Sequence, residues 1–204
     1  MGMRLVIRGL GKSYPGRPVF KDIGAEADEG EILIVAGPNG SGKSTLIRII
    51  CGFVRPTSGQ AYLEMDKRKL QRLAVRPFAG LVSPDLVLYD ELSALENLGF
   101  FAKVSGVSIS KERLEDNLEK VGLGGRGDDK TGSYSSGMKQ RLKYCLALLR
   151  NPPLLLLDEP MSNLDDRGKE LVDGIIRSHE GILVIATNER SELEYGTRII
   201  RLDQ

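Results

Sequence analysis

Five short apolar runs, at residues 32–36, 80–82, 154–157, 182–186 and 198–202, are spaced by stretches of helical character. Runs of this length are suited to burial on both faces, and their spacing leaves room for helical crossovers, so the pattern predicts a mostly parallel sheet in an α/β core. Two further short strands, at residues 5–7 and around 61–63, form a predicted antiparallel edge subdomain and are separated by the turn-rich Tyr14-Pro15-Gly16-Arg17-Pro18. A helical region begins with the capping box Ser93-Ala94-Leu95-Glu96, continues in a helix opened by Ser110 over Lys111 to Val121, and is closed by the glycine-rich residues 122–132. A last helix over residues 138–150 follows Ser136-Gly137 and is stopped by Asn151-Pro152-Pro153. Strands lie on both sides of the helical region, so residues 1–204 read as one domain with an inserted helical subdomain at about 86–140.

Chemistry enters at the end of the first apolar run. Gly37-Pro38-Asn39-Gly40-Ser41-Gly42-Lys43-Ser44-Thr45 fits G-x-x-x-x-G-K-[ST] between a predicted strand and a predicted helix, the context of a P-loop NTPase core. The glycines let successive N–H groups converge on an anion, and the helix N-terminus adds its dipole at the same point. Lys43 then reaches the β- and γ-phosphates and Ser44 offers its hydroxyl to Mg²⁺. The plainer alternative is a glycine-rich turn joining strand to helix. Leu154-Leu155-Leu156-Leu157-Asp158-Glu159-Pro160 is a buried strand ending in two acids, which the topology of such sheets brings to the carboxyl edge beside the phosphate loop. Asp158 suits Mg²⁺ and Glu159 suits a general base for an attacking water; a solvated acidic turn is the alternative. Tyr14, ahead of the loop's strand, is either an adenine-stacking aromatic or a half-buried packing group.

Composition narrows the partners. A chain of 204 residues with 41% hydrophobic content can bury a core, and 29 Lys and Arg against 28 Asp and Glu provide no large field, so no nucleic acid is expected. Cys51 and Cys145 lie in apolar helical contexts without metal-ligand spacing and read as core residues. The N-terminal residues lack a signal-like apolar stretch, and no segment approaches the roughly 18 apolar residues of a membrane span. The expected location is the cytoplasm, peripheral on the membrane's cytoplasmic face if a partner tethers the chain there.

Between the phosphate loop and Asp158 stands Ser133-Tyr134-Ser135-Ser136-Gly137-Met138-Lys139-Gln140-Arg141, and after Pro160 comes Ser162-Asn163-Leu164-Asp165. With these motifs the chain resembles, over nearly its whole length, the ATP-binding subunits of ABC transporters. The first stretch resembles the family signature Leu-Ser-Gly-Gly-Gln, with Tyr134, Ser136 and Met138 as departures, and the second resembles the D-loop. The resemblance implies that Ser135 and Gly137 touch the γ-phosphate of a nucleotide held by a partner subunit, and that Tyr14 stacks on adenine. Read alone, Ser-Ser-Gly before a helix is an N-cap.

The same resemblance implies a homodimer or heterodimer sandwiching two ATP molecules with Mg²⁺ and energising a membrane permease, and the short helical insertion is similar to that of the small haem-exporter type. Two departures stand out. Ser83-Pro84-Asp85 lies where the family has a glutamine, and Pro84 offers neither a polar side chain nor an N–H. Asn188 lies where the family has a switch histidine; it can donate to a γ-phosphate but does not titrate near neutral pH. The sole histidine, His179, precedes that strand and reads as a surface residue. The alternatives are a soluble non-transport ABC ATPase, or a nucleotide-binding regulator with weak hydrolysis.

Overall fold

The computed structural model describes residues 2–202, which divide into two units. Among the described residues the first comprises 2–81, 153–160 and 179–202 and carries two sheets. Its parallel sheet is built on β3 (Ile32–Ala36), β7 (Leu154–Asp158), β8 (Ile182–Thr187) and β9 (Arg198–Arg201), with β6 (Ala79–Val82) beside β7, in the order β6-β7-β8-β3-β9. Every residue of β7 and β8 is buried, which explains why these segments read as unbroken apolar runs. Leu154 to Leu157 are each 0% exposed, and burying a leucine side chain contributes about 1.5–3 kcal/mol.

The second sheet is antiparallel, in the order β2-β1-β4-β5, from β1 (Arg4–Tyr14), β2 (Arg17–Asp28), β4 (Ser58–Met65) and β5 (Arg68–Leu70). The two predicted edge strands pair as expected, with Leu5 opposite Leu63 and Ile7 opposite Ala61, but both are much longer than their apolar centres. β2 has no counterpart in the sequence reading. Most of its residues are exposed or half-buried, and register shifts between Ile7 and Ser13 on its partner strand break the period-two pattern. Helix α1 (Lys43–Ile50) turns Leu46, Ile47, Ile49 and Ile50 into the core, and Cys51 is buried with them.

The second unit, residues 82–152 and 161–178, contains α2 (Ala94–Val104), α3 (Lys111–Lys120), α4 (Ser136–Leu148) and α5 (Asp166–Ser178). The Ser93 capping box forms, with Glu96 N–H donating to Ser93 Oγ and Ser93 N–H donating to Glu96 Oε2. Ser110 and Ser135 cap α3 and α4. Cys145 is buried on α4, where burial pushes its thiol up to about 12. On α2, fully buried Asn97 accepts from Tyr89 N–H at 2.9 Å and donates to the carbonyls of Tyr89 at 3.1 Å and Ser93 at 2.9 Å, closing the loop that enters the helix. Truncating it takes the acceptor from the Tyr89 N–H and removes two donors from carbonyls that otherwise keep Thr131 Oγ1, Leu92 N–H and Asn97 N–H. Asn97→Ala is therefore expected to destabilise the second unit by about 2 kcal/mol, read as a lower denaturant midpoint; an unchanged midpoint would show that the amide is dispensable.

Candidate functional site

The parallel register determines what meets at the sheet's carboxyl edge. Asp158 lies opposite Ala186 and Ala36 opposite Thr187, so the loop after β3, the acid after β7 and the asparagine after β8 leave the sheet at one level. Gly42 is the N-cap of α1 with φ 100° and no side-chain cap, so the first amides of the helix remain available to a ligand. A Cβ at Gly42 would also lie 3.0 Å from Phe20 Cδ1, so both conformation and space require glycine here.

Lys43 is 4% exposed, and its ammonium donates to the carbonyls of Gly37 at 2.9 Å and Pro38 at 3.1 Å. These neutral acceptors take two of its three N–H groups without cancelling its charge. Ser41 Oγ is buried beside it without a partner. Asp158 is also buried; burial raises its carboxyl pKa, and a hydrogen bond with Ser44 acts against that rise. Asp158 Oδ1 has no partner. One carboxylate with a free buried oxygen next to a serine hydroxyl fits the oxygen donors that Mg²⁺ prefers. Among the described residues no group of three or more His, Cys, Asp or Glu side chains converges into an all-protein metal cage.

Glu159 adopts φ 51°, in the left-handed region, and its N–H donates to Ala186 O at 2.9 Å on β8. This unusual backbone turns the chain sharply after Asp158, and the two neighbouring acids receive different surroundings: Asp158 is buried, whereas Glu159 is half-buried in a cavity wall. Asn188 is exposed and its Nδ2 donates to Asn39 Oδ1 at 3.0 Å, tying the end of β8 to the tip of the phosphate loop. The cavity, of about 760 Å³, is lined by Asn39, Gly40, Gly42, Lys43, Ser44, Thr45 and Glu159 together with Tyr14, Arg17 and Phe20. That is within the range of small-ligand sites. Tyr14 is half-exposed, with the Lys12 ammonium 4.6 Å from its ring centre.

Arg17 and Phe20 were not legible in the sequence because they belong to β2, the strand without an apolar signature. Ser135 and Gly137 belong to the second unit, at the start of α4, and are not part of this cavity's wall. Ser135 Oγ accepts from Met138 N–H at 3.2 Å, so the N-cap reading holds. Tyr134 is buried, with its hydroxyl donating to Arg126 O at 2.7 Å. His179 departs from the surface reading: it is half-buried and burial lowers its pKa.

The sequence profile of the ABC transporter family matches residues 20–162. The chain is 38% identical over 194 residues to an uncharacterized ABC transporter ATP-binding protein of Bacillus subtilis, covering 93% of this chain and 63% of that protein. It is 35% identical over 202 residues to the cytochrome c biogenesis ATP-binding export protein of Mesorhizobium japonicum, covering 95% and 98%. Among solved structures, a dimeric post-hydrolysis state of an ATP-binding cassette bound to ADP and Pi has a TM-score of 0.85 at 26% identity, over 98% of this chain and 94% of that one.

Burial raises the Asp158 pKa, so the folded chain holds that proton more tightly than the unfolded chain. The ionised group therefore opposes folding above the raised pKa, and this penalty fades as pH falls to the ordinary carboxylate value, about 4. Asp158→Asn is expected to raise the metal-free melting temperature at neutral pH, with the gap closing toward about pH 4, and to lose the gain that Mg²⁺ with nucleotide confers on the wild type. Thermal unfolding across pH, with and without these ligands, measures both effects. A variant less stable than the wild type at neutral pH would overturn this account.

Proposed function

We propose, since the chain belongs to the ABC transporter family and carries its ATP-binding ATPase domain, that it is the ATP-hydrolysing subunit that energises a membrane-embedded permease through a nucleotide-sandwich dimer. The observation that carries this reading is the pairing, at the carboxyl edge of the parallel sheet, of a buried ammonium donating to loop carbonyls with a buried carboxylate that keeps one oxygen free and bonds the Ser44 hydroxyl. In this reading residues 1–204 act as one ATPase domain, the helices of the second unit forming its helical subdomain. Among the described residues no helix is long and apolar enough to cross a membrane, which accords with a separate permease holding the chain at the cytoplasmic face.

Lys43 exchanges the carbonyls of Gly37 and Pro38 for phosphate oxygens, an interaction of opposite charges in place of a charge with dipoles. Residues 37–45 cradle the phosphates and Tyr14 takes the adenine. Ser44 and Asp158 hold Mg²⁺, which supplies charge neutralisation on the phosphates. Glu159 accepts the proton of the attacking water. Asn188 releases Asn39 and donates its amide to the γ-phosphate, so the γ-phosphate contact does not depend on the protonation of an imidazole. Ser135 and Gly137 complete the site of the partner subunit, a second copy or a relative. The Mesorhizobium relative is described as an export protein of cytochrome c biogenesis and a Streptococcus pyogenes relative as a lantibiotic transport protein, both consistent with a transport role.

Calorimetric titration and phosphate release test these roles together. Lys43→Ala is expected to weaken MgATP binding by at least about tenfold. Glu159→Gln should retain binding and slow turnover by about a hundredfold or more. Asn188→Ala should slow turnover by about tenfold to a hundredfold. Wild-type turnover in Glu159→Gln would remove the general base from this scheme, and binding without any Glu159-dependent hydrolysis would favour a regulator.

A further inference from the structure

The turn that follows β6 lacks the glutamine expected there, yet it is held by another side chain. Leu86 N–H donates to Ser83 O at 3.1 Å and Asp85 N–H to Ser83 Oγ at 3.4 Å, forming a tight turn on buried Ser83. From α4, the Lys143 ammonium donates to Ser83 O at 3.2 Å and Pro84 O at 2.9 Å. One turn earlier on the same helix, Lys139 pairs with Asp90 at 2.7 Å. Pro84 has no N–H and cannot donate, but its carbonyl and that of Ser83 both accept from one ammonium, which spends two of its three donors on them. Lys143 is half-buried, and burial lowers its pKa without an adjacent carboxylate contributing to the shift.

We propose that Lys143 is a positioning residue that fixes the 83–84 carbonyls to α4, so that a displacement of the turn is carried along the helix to Ser135 and Gly137. The helix provides the rigid element: Ser135 caps it eight residues before Lys143, about 12 Å at the α-helical rise. The turn, α4 and its cap all belong to the second unit. The functional half of the inference rests on the proposed role of Ser135 and Gly137 at the partner subunit's nucleotide.

The test compares Lys143→Met and Lys143→Arg in the full chain by amide hydrogen exchange, MgATP affinity and phosphate release. Methionine keeps an unbranched stem and removes the donors, whereas arginine keeps the charge and offers N–H donors for both carbonyls. In Lys143→Met the amides of Asp85 and Leu86 should exchange about tenfold faster, with MgATP affinity unchanged and turnover reduced; Lys143→Arg should restore both exchange and turnover. Unchanged exchange at Asp85 and Leu86 in Lys143→Met would overturn the tie. Faster exchange with wild-type turnover, or a turnover loss that arginine does not rescue, would overturn its positioning role. A wild type that hydrolyses no ATP would sink the ATPase reading and the positioning role with it, while the exchange comparison would still decide whether the tie exists.

Discussion

Charge taken out of water at the end of β3 is the constraint on which the site depends. An ammonium that is 4% exposed is held by two neutral carbonyls, and a buried carboxylate nearby keeps one oxygen without a hydrogen bond. The parallel sheet bears this cost because β7 and β8 are buried along their whole length and hold their ends rigidly. The proposed nucleotide with its divalent cation would supply the opposite charge for the ammonium and a partner for the free carboxylate oxygen. Ligand and scaffold are thus complementary: the apolar core excludes water from the place where the ligand's charge is needed.

The two acids after the leucine run show how a fold separates adjacent identical chemistry. Asp158 remains within the strand and is buried, which raises its pKa. Glu159, at positive φ, leaves the strand and reaches the cavity wall. One peptide unit therefore gives the proposed metal ligand and the proposed general base different surroundings. Asn188 adds a non-titrating element, since an amide bonded to Asn39 keeps the same hydrogen-bonding groups at any pH near neutrality.

Departures from the family pattern acquire structural meaning when their replacements are located. The proline in the turn after β6 removes a side-chain link, and Lys143 holds the same turn by its backbone. Tyr134, in place of a leucine in the signature, keeps the apolar burial and adds a hydroxyl bond to Arg126 O.

The sequence by itself determined what depends on near neighbours in the chain. The apolar runs became the strands of the parallel sheet, the phosphate loop bridged strand and helix, and Ser93, Ser110 and Ser135 capped their helices, because each is governed by residues within a few positions. Tertiary structure decided the rest. β2 exists because β1 offers it a ladder of backbone groups, and with it come Arg17 and Phe20 in the cavity wall. Asn188 meets Asn39 across 149 positions because β8 lies beside β3, and Lys143 reaches Pro84 across 59 because a helix and a turn fold against each other within one unit. Such contacts arise from strand order and packing between distant segments, which no local pattern of polar and apolar residues encodes.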